Sequence, residues 1–524
     1  MNQTRANWLS SKNTDGFVFA ILGFLSVILM TAHNGIGISP DSIVYLSVAR
    51  NVIHHGAMID YIGQPLVDFP VFYPLFLSAA GFIFGADPLQ AGVYLNAFLF
   101  ASVIMAAAYL IDTFHIKSQW YKWIVLFSIA LSPSLLEIYS MLWSETLFIL
   151  LILLFMITLH SYFNSRSIWK LVLCACIAGI ACITRYAGIT LIATGLMLIL
   201  FDPSLKLSKK LFCLCLFGSL STGFLLANLL HNAAVTGLMT GPREAGITSL
   251  QDNIGYYTQV IMDWLPVSNP YILISSLVVV LVFLSIVILF LRTAYLHMSS
   301  QTSSGTQRSY AAGDHIFTAY FIVYTIFIIG ISTLSHFEQI NNRLLSPLYI
   351  PFLISLTAWL PGFMARLEIK QRQLALVAVL FFAVVFQVNQ FRNLKQEYHD
   401  YTTYGIPGYT DDTWKYSPLA AFLKTRHDVF DAGYSIYSNA HEAVYFNGTL
   451  QSASVPHRND KKDIHDFFSE NGFYLIWFNQ ITDHELISMA QIGKNASVIK
   501  KYMFKDGAIY FVTPHHTLHH HRII

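Results

Sequence analysis

The stretch GFVFAILGFLSVILMTAHNGIGISPDSIVYLSVAR, residues 16–50, carries the reading on which the fold turns. From Gly16 to His33 it has no Asp, Glu, Lys or Arg, and it approaches the ~20 mainly apolar residues a helix needs to cross a membrane. Beyond that run comes Pro40 and then a carboxylate, Asp41. Arg5 and Lys12 in front of it would suit a secretory signal as well. The run is long for a signal, however, and no small-x-small cleavage site follows Met30, which favours a retained anchor.

Further apolar runs lie near 90–111, 120–137, 145–163, 169–184, 187–201, 211–230, 271–291, 316–334, 344–361 and 374–391, so about eleven spans are expected. Composition agrees: 55% of the chain is apolar and 11% charged, far below the charge of a soluble domain. The net charge of +2 and the lack of a basic module exclude nucleic acid as a partner.

Lys and Arg are retained on the cytoplasmic side. With the amino terminus inside, cytoplasmic segments hold Arg5, Lys12, Lys117, Lys122, Arg166, Lys170, Lys206, Lys209, Lys210, Arg292, Arg308, Arg366, Lys370 and Arg372. The outer segments before residue 392 hold only Arg50, Arg185, Arg243 and Arg343. An odd span count then puts the carboxy-terminal part outside. The expected division is a membrane domain, 1–392, with outer loops at 34–89 and 231–270, and an extracytoplasmic domain, 393–524.

Pro65, Pro70 and Pro74 interrupt the first outer loop too often for a span and predict helices lying in the outer interface. Residues 293–315, rich in Ser, Thr, Gln and Gly, predict a flexible cytoplasmic linker. The tail mixes periods: a helix over 417–430, a strand over 434–439, a helix in HELISMAQIG, and a hairpin over 498–512 turning at Asp506-Gly507. A small α/β domain follows from this. The cysteines, Cys174, Cys176, Cys182, Cys213 and Cys215, all sit in apolar runs and lack histidine partners at ligand spacing, so packing is their expected role.

Ionisable groups at membrane depth are costly unless paired or facing a wet cavity. Asp41, Glu145, Arg185 and Arg343 all fall at the outer end of predicted spans. Taken singly, each has a structural use: a carboxylate suits a helix start, and an arginine suits an interface. Two acids and two arginines at one boundary are a candidate site.

At this point the pattern resembles the GT-C superfamily of polyprenyl-phosphate-sugar glycosyltransferases, nearest to the protein O-mannosyltransferase and aminoarabinose-transferase-like group. The carrying motifs are P-D-S-x-x-Y-L-S-x-A-R after the first span, F-P-x-F-Y-P-L-F in the same loop, W-S-E-T-L-F, T-R-Y-A-G and N-R-L-L-S-P-L-Y-I-P. G-I-P-G-Y-T-x-x-T-W-K-Y-S-P and Y-S-N-A-H-E-A-V-Y in the tail resemble bacterial members. The resemblance implies an all-α polytopic membrane domain with a small α/β extracytoplasmic domain, in a bacterial inner membrane. It implies a sugar donor on a polyprenyl phosphate and a lipid, glycan or protein acceptor, with membrane lipids around the chain.

The family's acid after the first span matches Asp41, a general base for inverting transfer to an acceptor hydroxyl, and its second acid matches Glu145, where relatives often have Asp. Arg185, Arg343 and then Arg243 are candidates to bind the leaving phosphate, because a guanidinium pairs its donors with phosphate oxygens. Tyr45, Tyr73, Tyr186 and His336 are candidates to shape the pocket. No cofactor is fixed by the resemblance. Some relatives bind a divalent metal, for which Glu145 and Asp68 are the available acids, and the terminal histidines at 515, 516, 519, 520 and 521 read as a tail.

A transporter or lipid flippase would also have many spans, but no internal symmetry of two halves is visible. A polysaccharide ligase or polymerase typically relies on arginines in a large outer loop, whereas the first loop is the rich one in this chain.

Overall fold

A computed structural model describes residues 14–114, 117–241, 245–265, 272–299, 313–336 and 338–515. It is mostly helical. Among the described residues seven helices are long and apolar enough to cross a membrane: Pro88–Asp112, Glu145–Ser165, Leu207–Thr236, Ile274–Arg292, Gly313–Leu334, Asn342–Arg366 and Ile369–Tyr404. The chain is a multi-pass membrane protein. In Ile369–Tyr404, Leu374, Val377, Phe381 and Phe382 stand exposed, as suits a helix whose solvent is lipid.

The expected count of eleven is not established. All eleven runs fall on helices, but 16–33, 169–184 and 187–201 fall on the shorter helices Thr14–Met30, Ile168–Thr184 and Tyr186–Leu200. The run 120–137 is two helices, Gln119–Ala130 and Pro133–Ser140, bent by 45°. Pro133 lacks the N–H that would continue the first helix and instead opens the second, which Ser132 caps. Counted as one span, the pair makes eight.

The expected linker is corrected in part. Residues 293–299 continue the helix Ile272–Ser299, and a new helix begins at Gly313. Residues 300–312 lie outside the described residues. The cysteines are free; Cys174, Cys182 and Cys213 are buried, with the Tyr162 hydroxyl 3.3 Å from Cys213 Sγ, whereas Cys215 is exposed.

The chain divides into two compact units, one holding Pro65–Thr402 with the first helix up to Ala32, the other holding His33–Gln64 with the chain from Thr403 onward. In the first unit, the helices pack around small and aromatic residues such as Ala107, Phe100 and Tyr139. Its buried Lys122, counted from sequence among the cytoplasmic charges, sits 2.9 Å from Asp15 and 2.7 Å from Asp112 and is a paired buried group.

The second unit contains a five-stranded sheet of β1 (Ser435–Ser438), β2 (Ala453–Ser454), β3 (Phe473–Phe478), β4 (Ala496–Met503) and β5 (Gly507–Pro514). Its order is β2-β1-β3-β5-β4. β1 runs parallel to β2 and β3, and β5 is antiparallel to β3 and β4. The β4–β5 hairpin closes where Phe504 N–H reaches Gly507 O at 2.8 Å. Phe467, Phe473, Leu475, Ile492 and Val512 form its core. The helix read in HELISMAQIG starts only at Met489, because Ser488 and Gln491 form a capping box there.

Residues 33–64 belong to this unit through specific pins. Tyr409 N–H reaches Ile38 O at 2.8 Å, Thr410 Oγ1 reaches Ile36 O at 3.0 Å, and Asp412 Oδ1 takes bonds from Asn34 at 2.8 Å and His33 at 3.1 Å. Gly408, at φ 135°, lets the chain pass so close that a Cβ would lie 2.3 Å from Ile38 O. The G-I-P-G-Y-T motif is therefore the seam of this unit.

Candidate active site

In the first unit, three of the predicted charges meet. The helix Pro133–Ser140 ends, Met141 to Trp143 run through a short break, and the next helix begins at Glu145. That break points the Glu145 carboxylate into the interior, where it is fully buried. Arg185 sits in extended geometry (φ −147°, ψ 138°) between the helix Ile168–Thr184 and the 3-10 turn Tyr186–Gly188. Gly188 makes this turn tight: a Cβ there would lie 2.4 Å from the backbone of Ala181 and Cys182. Arg343 lies on the short helix Asn342–Leu345, capped by Asn341, whose side-chain oxygen accepts Leu344 N–H at 3.0 Å.

Both arginines close on one oxygen. Arg185 Nη1 and Arg343 Nε each lie 2.7 Å from Glu145 Oε1. Arg185 Nη1 also donates to Ser144 Oγ at 2.9 Å. The Arg343 guanidinium stacks 4.5 Å from the centre of the Trp143 ring, and its Nη1 lies 3.7 Å from Glu338. Such a charge needs its partners when buried, and here one carboxylate holds two guanidinium forks in fixed positions.

The segment behind Arg343 borders a cavity of about 630 Å³, lined by Glu137, Asp263, Trp264, Glu338, Asn342, Gln390 and Glu397 among others. Asn342 anchors it, receiving Trp264 Nε1 at 2.9 Å and donating to Ser134 O at 3.1 Å and Glu137 at 2.5 Å. Burial holds the Asp263 carboxyl above its ordinary range. None of the cavity's acids was singled out from sequence. The paired Asn341-Asn342 before Arg343 was the available signal.

Asp41 belongs to the second unit, at the second position of the helix Pro40–His55. Ser39 and Ser42 cap that helix, their hydroxyls 3.0 Å apart and Ser39 N–H 3.1 Å from Ser42 Oγ, so Asp41 is not its cap. Tyr45 is buried on the same helix. Tyr73 is buried on the helix Phe72–Phe84, Tyr186 follows Arg185 in the 3-10 turn, and His336 follows Ser335, which bridges to Ala245. Arg243 lies outside the described residues, as do the terminal histidines except His515.

The two acids available for a divalent ion do not fit one. Glu145 is taken by two guanidiniums, and Asp68 is exposed, with Gly241 packed against it. Among the described residues no group of three His, Cys, Asp or Glu is placed to hold a metal.

No family model matches the chain, and no curated protein matches it in sequence. Solved structures do match in fold. ArnT from Cupriavidus metallidurans in the apo state superposes with a TM-score of 0.54 at 10% identity, over 94% of this chain and 97% of the other. The same protein bound to undecaprenyl phosphate gives 0.51 at 11% identity, over 94% and 96%. The Archaeoglobus fulgidus oligosaccharyltransferase in complex with Zn and sulfate gives 0.53 at 11% identity, over 94% of this chain and 72% of the other. Sequence identity this low carries the architecture alone, and across nearly the whole chain that architecture is shared with ArnT and the archaeal oligosaccharyltransferase.

Proposed function

We propose that the chain is a membrane glycosyltransferase that takes a sugar from a polyprenyl-phosphate donor and transfers it, with inversion, to an acceptor hydroxyl at the outer face. The observation that carries this is the clasp of Glu145 between Arg185 and Arg343. In the reaction, the acceptor oxygen forms a bond to the anomeric carbon while the bond from that carbon to the phosphate oxygen breaks. Asp41 takes the hydroxyl proton as general base. The departing polyprenyl phosphate gains negative charge, which Arg185 and Arg343 offset through charge-assisted hydrogen bonds.

Glu145 acts here as a positioning residue: with its carboxylate between the two guanidiniums, it holds both forks in place before the donor arrives. Support for the donor class comes from the likeness in fold to ArnT bound to undecaprenyl phosphate and to the archaeal oligosaccharyltransferase AglB with a dolichol-phosphate and an inhibitory peptide. Polar residues between Tyr256 and Asp263 and between Glu338 and Asn342 line the cavity beside Arg343, which has room for a sugar.

The test uses purified protein and a lipid extract of radiolabelled undecaprenyl-phosphate-linked sugars. The Asp41→Asn protein should retain undecaprenyl phosphate binding and lose roughly 100-fold or more in transfer rate. Unchanged transfer would remove Asp41 from the mechanism. No donor consumption by the wild type would remove the function.

A further inference from the structure

The second unit has a pocket of its own. It encloses about 310 Å³, the small end of the range for small-molecule sites, and is lined by Asn34, Tyr409, Trp414, Lys415, Lys424 and Asn447 among others. We propose that this pocket binds an anionic saccharide, a sugar unit bearing a phosphate or carboxylate group, and that on the reading above it docks the acceptor.

Charge is the first argument. The lining includes two ammonium groups and no carboxylate. Among the described residues neither Lys415 nor Lys424 stands in an ion pair. Lys415 Nζ instead donates to the side-chain oxygen of Asn34 at 2.7 Å, which occupies one of its three donors. Asn34 is itself fixed, because its Nδ2 donates to Asp412 Oδ1 at 2.8 Å. The Lys415 ammonium helps to lower the Asp412 carboxyl, whose Oδ1 is shared by Asn34 and His33.

Shape is the second argument. Tyr409 and Trp414 meet edge to face with centroids 5.0 Å apart and, with Phe446, give the pocket an aromatic wall. Such walls pack against the C–H face of a sugar ring, while Asn447 and Thr410 add polar groups around it. The lysines sit on consecutive short helices, Asp412–Lys415 and Pro418–Thr425, so the cations and the Tyr409–Trp414 part of the wall come from one continuous segment, and Phe446 is added from the helix His441–Gly448. Asn34 and Asp41 likewise share a segment of this unit, pinned midway by Ile38 O.

Binding to the full-length protein in detergent micelles tests this with four probes: glucose 6-phosphate, glucuronate, glucose and inorganic phosphate. Both charged sugars should bind at least ~tenfold more tightly than glucose or phosphate. The Lys415→Gln/Lys424→Gln protein, altered only at exposed positions, should lose that advantage, and Arg343→Ala should keep it. Equal binding of glucose, equal binding of phosphate alone, an unchanged double variant, or loss on Arg343→Ala would each overturn the proposal. Preserved binding in a protein with no transferase activity would uphold the pocket and reject the function proposed above.

Discussion

Glu145 shows how much a single buried charge can decide. Removing one partner of a buried ion pair costs about 3–5 kcal/mol, since the remaining charge is left uncompensated. Glu145→Gln leaves two guanidiniums facing a neutral amide, so thermal unfolding in detergent should shift down clearly. An unchanged melting temperature would mean the clasp is not held by this carboxylate. The four charges of this kind were legible from sequence because membrane depth makes any ionisable residue conspicuous. Their partnership was not, because Glu145, Arg185 and Arg343 are far apart along the chain and nothing in their local patterns encodes a shared oxygen. Asp41 was legible only as a position; the helix it lies on is capped by Ser39 and Ser42.

At the scale of elements, breaks in helices place the site, and breaks are what apolar runs hide. The runs 169–184 and 187–201 stop on either side of Arg185, but only the structure shows the turn through Gly188 that delivers the guanidinium. Gly188→Ala must push its new methyl against the Ala181 and Cys182 backbone and reopen that turn. It should lower thermal stability and weaken undecaprenyl phosphate binding together. Gly223→Ala, with open space around it on the helix Leu207–Thr236, should be neutral or up to about 1 kcal/mol stabilising. Equal behaviour of the two variants would show that the turn does not position Arg185. In the tail, the hairpin and β1 were readable from alternation and the Asp-Gly turn. β3, FYLIWF, is apolar on both faces and offers no alternation to read.

For the whole molecule, hydropathy exposed the membrane class and the mixed-period tail, whereas the pairing of residues 33–64 with the tail depends on contacts nearly 380 residues apart in sequence, such as His33 with Asp412. That seam has a pH signature. Hydrogen bonds from Asn34 and then His33 hold the Asp412 carboxyl below its ordinary value. A carboxyl depressed in the folded state stabilises above its unfolded pKa of about 3.9 and loses that contribution as pH falls through the folded value. Proteolysis within 33–64 should therefore rise below about pH 4 in the wild type, and Asp412→Asn should flatten the profile. An acid profile unaltered by that substitution would place the sensitivity elsewhere. The central claim, that the clasp is a site for a polyprenyl phosphate, is tested most directly by titrating undecaprenyl phosphate into the purified wild-type and Arg343→Ala proteins. Saturable binding that weakens at least ~tenfold in the variant is the predicted result, and equal binding by the two folded proteins would contradict it.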